Sequence, residues 1–380
     1  MPFRHYRLLH FTLKRNLSEI YHTILLKTFA ISLIGIFIPI YLLKEIGLTF
    51  PQLLLFLIVV YLSVPIGYLV GAIFGLKTGI NRLVALSVPF YIIFYLLLET
   101  FNNLNISIYI LALIFGIGDG IFWFAYHIDF AKFSDKKHRG EEVKLWFVLA
   151  SILGMLGPLI GGFLLGFFPF YVLFSLVIIL FILSALPLLK AKNVVVKYNL
   201  SIKETFNKKN YENSHRYSVQ ALRHVSNGIL WPIFVFFLVS GYFSLGLVFS
   251  GAYLVSSFVV WFIGNQVDKI NRKLFSDFSS MIDGLVSFAK LFVSSFSQIM
   301  SVAILGGVSH SANEISQNAL CYDQANKTKI VSFLFYRELI FSISRITFLL
   351  VLFIAALDVI PTLKLAFILV GAASVLQWLF

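Results

Sequence analysis

Two apolar stretches of the sequence carry polar or aromatic side chains at the same helical spacing. Each places three residues at i, i+4 and i+8, namely Asp119, Trp123 and His127, and then His310, Glu314 and Asn318. Residues four apart lie on the same face of an α-helix. The sequence therefore predicts two polar stripes, each on one face of an otherwise apolar helix.

The carboxyl and imidazole groups in these stripes can bind and release protons. A charged group inside an apolar span is costly unless it faces a cavity or a charged partner. We therefore expect Asp119 and Glu314 to be the main proton carriers, followed by His127 and His310. His127 also lies near the edge of its stretch, where a side chain can reach water without any further role.

Three more stretches carry isolated polar residues. They are Glu19, Thr23 and Lys27 in one, Gln220, His224, Asn227 and Trp231 in another, and Arg345 in a third. Lys27 and Gln220 lie where a side chain can reach water from the edge of a span. For Trp231, as for Trp123, ordinary packing and a position at a cavity are both open.

Glu314 and Arg345 are expected to be partners in at least one conformation. They lie on consecutive antiparallel stretches, and their offset of about four residues corresponds to about 6 Å, which a long arginine side chain can span. A buried carboxylate and a buried guanidinium would each be costly without a partner. Asp283 and Lys290 share one face of a further stretch at i and i+7, and the sequence assigns them no role.

Stretches of this kind recur along the whole chain, and each is long enough to cross the hydrocarbon core of a bilayer as a helix of about 20 residues. The twelve predicted spans are 21–43, 52–75, 82–100, 106–129, 144–167, 169–189, 218–240, 243–265, 274–293, 297–320, 335–357 and 361–380. Hydrophobic residues make up 59% and charged residues 12% of the chain, and its mean hydropathy is +0.91. This composition excludes a water-soluble globular protein. We predict an all-α integral membrane protein with twelve transmembrane helices.

Lys and Arg outside the spans fall almost entirely on alternate turns. Only Lys44 and Lys364 lie on the other side. Because cytoplasmic turns are enriched in Lys and Arg, this pattern predicts a multi-pass protein of the cell membrane with both termini in the cytoplasm. The net charge of +13 is explained by this orientation, and no nucleic-acid partner is expected.

The longest polar segment, residues 190–217, follows the sixth predicted span. Its many Lys and Asn residues are typical of a solvated cytoplasmic linker. It divides the chain into an N-terminal six-helix bundle, residues 1–189, and a C-terminal six-helix bundle, residues 218–380. The basic start carries no cleavage site and indicates an uncleaved first helix, while the end at the twelfth span indicates a minimal or slightly truncated chain.

The turn after the eighth span resembles a signature of the Major Facilitator Superfamily. It consists of Gly264, three residues, Asp268 and then a basic cluster that includes Arg272 and Lys273. The glycine allows close helix approach, and the basic residues hold the turn at the membrane surface. The Arg-Gly turn that begins at Arg139 is similar to one that the family often has after its fourth span. The resemblance implies that these five residues belong to a gating turn.

The fifth span is similar to a Gly-Pro-x-x-Gly-Gly pattern of the same family. Its residues are Gly154, Gly157, Pro158, Gly161 and Gly162. Small residues let two helices approach closely, and a proline bends the helix that contains it. We expect this run to form a helix–helix seam and not to contact a solute.

The resemblance implies two pseudo-symmetric six-helix bundles and a secondary transporter that works by alternating access. In this family the first helix of each three-helix unit, here spans 1, 4, 7 and 10, lines the central cavity. With Arg345 added, the expected cavity residues are Lys27, Asp119, Trp123, His127, His224, Asn227, Trp231, His310, Glu314 and Arg345. The transported solute would be a small molecule, moved with protons or another coupling ion.

Several other functions are excluded or stay open at this point. The sequence contains no phosphate-binding loop of the Gly-x-x-x-x-Gly-Lys-Ser/Thr type and no catalytic motif, so neither ATP hydrolysis nor another enzyme activity is expected. Uniport, a sensor without flux and a permease subunit with a separate ATPase stay open, as does the solute. We expect a monomer in the lipid bilayer with no cofactor, and no metal site, because His310 and Glu314 alone offer too few ligands.

Overall fold

The computed structural model describes residues 15–133, 139–190, 200–267, 271–355 and 358–379. Within these ranges the chain forms helices and no strands. The long helices are α1 (Arg15–Ile34, continued after a short break by Ile38–Lys44), α2 (Phe50–Thr78), α3 (Ile80–Glu99), α4 (Ile108–Phe133), α5 (Arg139–Phe167), α6 (Phe170–Lys190), α7 (214–239), α8 (Tyr242–Val267), α9 (Arg272–Ala289), α10 (Phe296–Lys327), α11 (Ile330–Ala355) and α12 (Val359–Leu376). Each coincides with one predicted span to within several residues, so the chain is an all-α integral membrane protein.

Eight helices in the described part of the chain are long and apolar enough to cross a membrane by length and composition. Helices α5 and α8 add shorter apolar stretches, Ile152–Phe167 and Tyr242–Phe258. Helices α9 and α10 contain more polar residues than the other spans. Many of these polar side chains are buried against neighbouring helices, including those of Asp283 and Asn313. These two spans are therefore better defined by packing than by hydropathy.

Local sequence determines where several helices begin and end. Thr49 and Ser295 each form a capping box, with Gln52 and Gln298 respectively, at the starts of α2 and α10. Such boxes satisfy backbone N–H groups that have no partner within the helix. Between α2 and α3 the chain reverses at the single residue Gly79, whose φ of 82° is strained for other residues.

The first six and the last six helices are two groups that pack within themselves and also closely against each other. Helices α1 to α6 pack mainly through the pairs α2–α4, α3–α4, α1–α6 and α1–α5, and helices α7 to α12 through α9–α10, α8–α10, α9–α12 and α7–α11. The pairs α5–α8 and α2–α11 join the two groups. The remaining space between the groups is the cavity described below.

The glycine run of α5 faces two neighbouring helices. A Cβ atom added at Gly157 or Gly161 would meet Ser32 or Leu33 of α1, and one added at Gly162 would lie 2.6 Å from the carbonyl oxygen of Tyr242 in α8. Such separations are too short for a real side chain. The run therefore allows α5 to pack closely against both α1 and α8.

Residues 200–213, the described part of the expected linker that precedes α7, pack against α11 and α10. They contain a short helix, Ile202–Thr205, and a 3-10 turn, Lys208–Asn213. Lys329 contacts Glu204 at 3.1 Å, and this hydrogen bond lowers the pKa of Glu204 below its ordinary value. Helix α7 begins at Ser214, earlier than residue 218, so residues 200–213 pack as part of the second group.

Helix α7 consists of three consecutive pieces. An α-helix, Ser214–Val225, is followed by a π turn, Ser226–Leu230, and by a second α-helix, Trp231–Val239. Arg216, which the sequence had placed in the polar linker, is 2% exposed and pairs with both carboxylate oxygens of Asp277 in α9. A bidentate pair of this kind fixes the start of α7 against α9.

Candidate functional site

A cavity of about 640 Å³ lies between the two groups of helices. Residues from α1, α2, α4, α5, α7, α8, α10 and α11 line it. Among them are Lys27, Asp119, Trp123, His127, His224, Asn227, His310, Glu314 and Arg345. The structure thus brings together residues from spans 1, 4, 7, 10 and 11 that the sequence had assigned to a common cavity.

On the wall formed by the first group, a lysine and a carboxylate are joined through a tyrosine. Lys27 Nζ donates to Tyr91 Oη at 2.7 Å, and Tyr91 Oη donates to Asp119 Oδ1 at 2.7 Å. Lys27 is 2% exposed and also lies over the ring of Phe122. Because Tyr91 lies on α3, this relay connects α1, α3 and α4.

On the wall formed by the second group, an arginine and a carboxylate are joined through a histidine. Arg345 Nη2 lies 3.2 Å from His224 Nδ1, and His224 Nε2 lies 2.9 Å from Glu314 Oε1. Two amides also donate to the carboxylate, Gln220 at 2.8 Å and Asn318 at 3.2 Å. Each group of helices therefore presents a cation and a carboxylate that are connected through a ring.

The direct pair expected between Glu314 and Arg345 is absent from this conformation of the described residues, because His224 lies between them. The carboxylate near Arg345 is that of Glu338, at 3.8 Å. The expected contact needs to form in one conformation only and stays a prediction; it is not made here because α10 and α11 are not close neighbours. Helix α11 instead packs mainly against α2 and α7, so α7 places His224 in the gap.

Trp231 is the one residue of the expected set that is turned away from the cavity. It is 3% exposed, and its ring packs against Phe234 and Phe367, with Lys290 Nζ 5.1 Å from its centroid. The π turn between His224 and Trp231 explains why His224 lines the cavity and Trp231 does not. A π turn adds a residue to the helical repeat and rotates the positions that follow it.

Asp283 and Lys290, whose role was open from the sequence alone, belong to a buried polar network behind the cavity wall. Ser309 Oγ donates to Asp283 Oδ1 at 3.1 Å, and Arg223 Nε lies 3.8 Å from Asp283 Oδ2. Lys290 Nζ donates to Asn227 Oδ1 at 2.5 Å. Since Asn227 also lines the cavity, this network holds the π turn of α7 in place from behind.

Sequence reasoning missed several residues of the cavity wall. Arg337 and Glu338 line it and are 4% and 5% exposed. Arg337 Nη1 donates to His127 Nε2 at 3.3 Å, and His127 Nδ1 lies 2.8 Å from Tyr322 Oη. The span predicted from residue 335 placed this Arg-Glu pair at the membrane edge. Because α11 begins at Ile330, the pair lies two turns inside the helix, where a buried role could have been inferred.

The residues of the expected gating turn are described only in part. Asp268 lies outside the described residues, and of Gly264 and Arg139 only the helical backbone belongs to the described part. Arg272 Nη1 donates to Asp323 Oδ2 of α10 at 2.6 Å. The backbone N–H of Lys273 donates to Asn271 at 3.0 Å, which caps α9.

The glycine run of α5 takes part in the cavity as well as in packing. Gly154 and Pro158 line the cavity. A Cβ atom at Gly154 would meet the ring of Tyr253, which also lines the cavity. The seam between α5 and α8 therefore forms one edge of the site.

Comparisons with known proteins agree with this architecture. An uncharacterized protein of Bacillus subtilis (strain 168), YqgE, is 24% identical over 372 residues, which is 91% of this chain and 85% of that protein. The E. coli fucose:proton symporter FucP superposes with a TM-score of 0.65 at 11% identity, over 96% of this chain and 97% of that one. A bacterial homologue of the iron transporter ferroportin, in an outward-facing state with soaked iron, superposes with a TM-score of 0.68 at 11% identity, over 95% and 97% of the two chains.

The match to a sequence family covers most of the described helices. Residues 21–349 match the profile of the Major Facilitator Superfamily. These residues include α2 to α10 in full and both polar stripes that line the cavity. Because this match covers most of the chain, the chain belongs to the Major Facilitator Superfamily of transporters.

Proposed function

We propose that this secondary transporter moves a small solute across the cell membrane by alternating access, with protons as the coupling ion. The observation that carries the proposal is the pair of relays on opposite walls of the cavity, Lys27–Tyr91–Asp119 and Arg345–His224–Glu314. Each relay contains a charged side chain that a proton or a solute can neutralise. As a carrier of this family, the chain is not an enzyme.

The proton is assigned to Asp119. Its carboxylate accepts the hydrogen bond of Tyr91, and Tyr91 in turn accepts one from Lys27. A proton on Asp119 removes the negative charge that orients Tyr91 and, through it, the buried ammonium group of Lys27. Because these residues lie on three helices, the change in charge acts on the packing of the whole first group.

The two groups of helices are proposed to move as units about the cavity. The N-terminal unit comprises the helices up to residue 189, and the C-terminal unit those from residue 218. The turns rich in Lys and Arg would face the cytoplasm, together with both termini. The working form would be a monomer, and the gating turn around Asp268 would control the exchange between conformations.

The two structural relatives are a fucose:proton symporter and a homologue of an iron transporter. A sugar and a metal ion differ so widely that the solute of this chain stays open. The test therefore measures coupling with a panel of solutes. Purified protein is reconstituted into liposomes that contain a pH-sensitive dye, and sugars, amino acids and divalent cations are added outside one at a time. At least one solute should drive a proton flux that empty liposomes do not show.

The Asp119→Asn variant should lose this solute-driven proton flux and keep the exchange of solute at equal concentrations on both sides. Asp358→Asn is the matched control, because the same chemical change is made at an exposed turn before α12. Unimpaired proton flux in Asp119→Asn would remove Asp119 as the proton carrier. Solute binding without any flux in the wild-type protein would instead make the chain a sensor.

A further inference from the structure

Three side chains on the second wall of the cavity bring potential metal ligands together. His224 of α7 and His310 and Glu314 of α10 place one ligand atom each within 4.8 Å of one another. All three line the cavity. The sequence showed only His310 and Glu314, four residues apart on one helix. Tertiary packing adds the third ligand from another helix.

Two imidazoles and one carboxylate are a ligand set that suits divalent first-row transition metals more than Mg²⁺ or Ca²⁺, which prefer oxygen ligands. Bonds of about 2.1 Å in a tetrahedral site separate the ligand atoms by about 3.4 Å. His224 Nε2 and Glu314 Oε1 are already 2.9 Å apart. Closing the cluster around an ion therefore needs movements of about 1 Å, which changes of side-chain rotamer provide.

A second layer of side chains holds the carboxylate in place. Gln220 donates to Glu314 Oε1 at 2.8 Å, and Asn318 donates to Glu314 Oε2 at 3.2 Å. Partners of this kind orient ligands and are typical of metal sites. His310 is half-buried, and its ring centroid lies 5.8 Å from that of His224, so both imidazoles face the same space.

Arg345 is the group that must move when a cation binds. Arg345 donates a hydrogen bond to His224 Nδ1, so Nδ1 carries no proton. The proton of the neutral His224 ring is therefore on Nε2, which donates it to Glu314. A metal ion at Nε2 requires the other tautomer, with the proton on Nδ1. The Nδ1–H group cannot accept a hydrogen bond from Arg345. Glu338, already 3.8 Å from Arg345 Nη1, can take the guanidinium.

We infer that His224, His310 and Glu314 bind a divalent first-row transition-metal ion as the transported solute, and that its binding transfers Arg345 from His224 to Glu338. The inference rests on the proposed function and specifies its substrate class. His224 exchanges one tautomer for the other, so the step itself releases no proton from this residue. The cation replaces the hydrogen bond between His224 and Glu314.

The first test is equilibrium binding of Co²⁺ to the purified full-length protein in detergent, by calorimetry and by the visible absorption of the bound ion. One ion should bind per chain, and a tenfold excess of Mg²⁺ should not displace it. His224→Gln, His310→Gln and Glu314→Gln should each weaken binding at least tenfold. Asn318→Ala should weaken it by up to about tenfold, through the orientation of the carboxylate.

The matched control is His22→Gln, which removes an exposed histidine of α1 that lies away from the cavity. It should leave the affinity within twofold of wild type. His310→Gln keeps the test decisive if Glu314→Gln fails to fold, because His310 is half-buried and its replacement disturbs packing least. Unchanged Co²⁺ affinity in His310→Gln and His224→Gln would overturn the inference.

The second test separates this inference from the proposed function. Liposomes that contain a metal-sensitive dye should take up Co²⁺ through the wild-type protein and not through His310→Gln. If Co²⁺ binds but is not carried, the assignment of the ion as substrate is wrong. If another solute drives proton flux while Co²⁺ neither binds nor moves, the proposed function stands and the metal assignment falls.

Discussion

At the scale of residues, two rings connect the charged side chains of the cavity: Tyr91 lies between Lys27 and Asp119, and His224 lies between Arg345 and Glu314. The spacing of Asp119 and His127, and of His310 and Glu314, follows from helical geometry, which is a local property of the sequence. The partners Tyr91 and His224 depend on which helices pack against each other. Charges on a membrane helix need partners, but the sequence does not say from which neighbour they come.

The arrangement around His224 makes a prediction for a double-mutant cycle. Replacing Glu314 or Arg345 alone by Gln removes one charged end of the relay through His224 and should cost about 3 kcal/mol of folding free energy. Replacing both should cost less than the sum, with a coupling of roughly 1–2 kcal/mol. Denaturant titration of the purified variants in detergent measures these changes in folding free energy.

The same cycle in a His224→Ala background distinguishes a bridge from a direct pair. Because the two charges communicate through the imidazole, the coupling should fall to about 0.5 kcal/mol or less when the ring is removed. An unchanged coupling would mean that Glu314 and Arg345 meet directly in the folded protein. A coupling of zero in both backgrounds would mean that they are independent.

At the scale of helices, the approximate positions of the spans were predictable and the irregularities within them were not. Length and hydropathy located each helix to within several residues because the bilayer imposes both. The π turn at Ser226–Leu230 left no comparable signal, so the orientation of Trp231 was missed. The start of α7 at Ser214 was missed because its first residues are polar, which is typical of a linker. In the folded chain these polar residues include Arg216, which donates to Asp277 of α9.

The seam between α5 and α8 makes a prediction at this scale. Gly162→Ala places a methyl group 2.6 Å from the carbonyl oxygen of Tyr242, which should disfavour the closed seam by roughly 1–3 kcal/mol. Spin labels at Lys44 and Ser240, both exposed at the end of the protein next to this seam, report its opening. Their separation should increase in the variant.

Gly166→Ala is the control for this change. It lies one turn further along α5, and its Cβ would meet no atom within 4 Å. The label separation should therefore equal that of the wild-type protein. Equal separations in the two variants would show that the seam does not depend on the glycine at position 162.

At the scale of the whole molecule, the number of spans and the long polar segment after the sixth predict two six-helix bundles. Which surfaces of the two groups meet could not be predicted, since that depends on the pairs α5–α8 and α2–α11. Contacts between the groups occur near both ends of the cavity. Tyr242 donates to Glu45 at one end, and His127 contacts Tyr322 and Arg337 towards the other.

Alternating access requires the two ends to open in turn, and distances measured at both ends of one molecule test this most directly. One pair of spin labels is placed at Lys44 and Ser240, and a second pair at Arg82 and Lys327, all on exposed residues, in a Cys321→Ser background. Distances are measured by double electron–electron resonance in nanodiscs at high and low pH, and in the Asp119→Asn variant. The account predicts that protonation, or its mimic at Asp119, shortens one distance while it lengthens the other. Two distances that stay constant, or that change in the same sense, would contradict it.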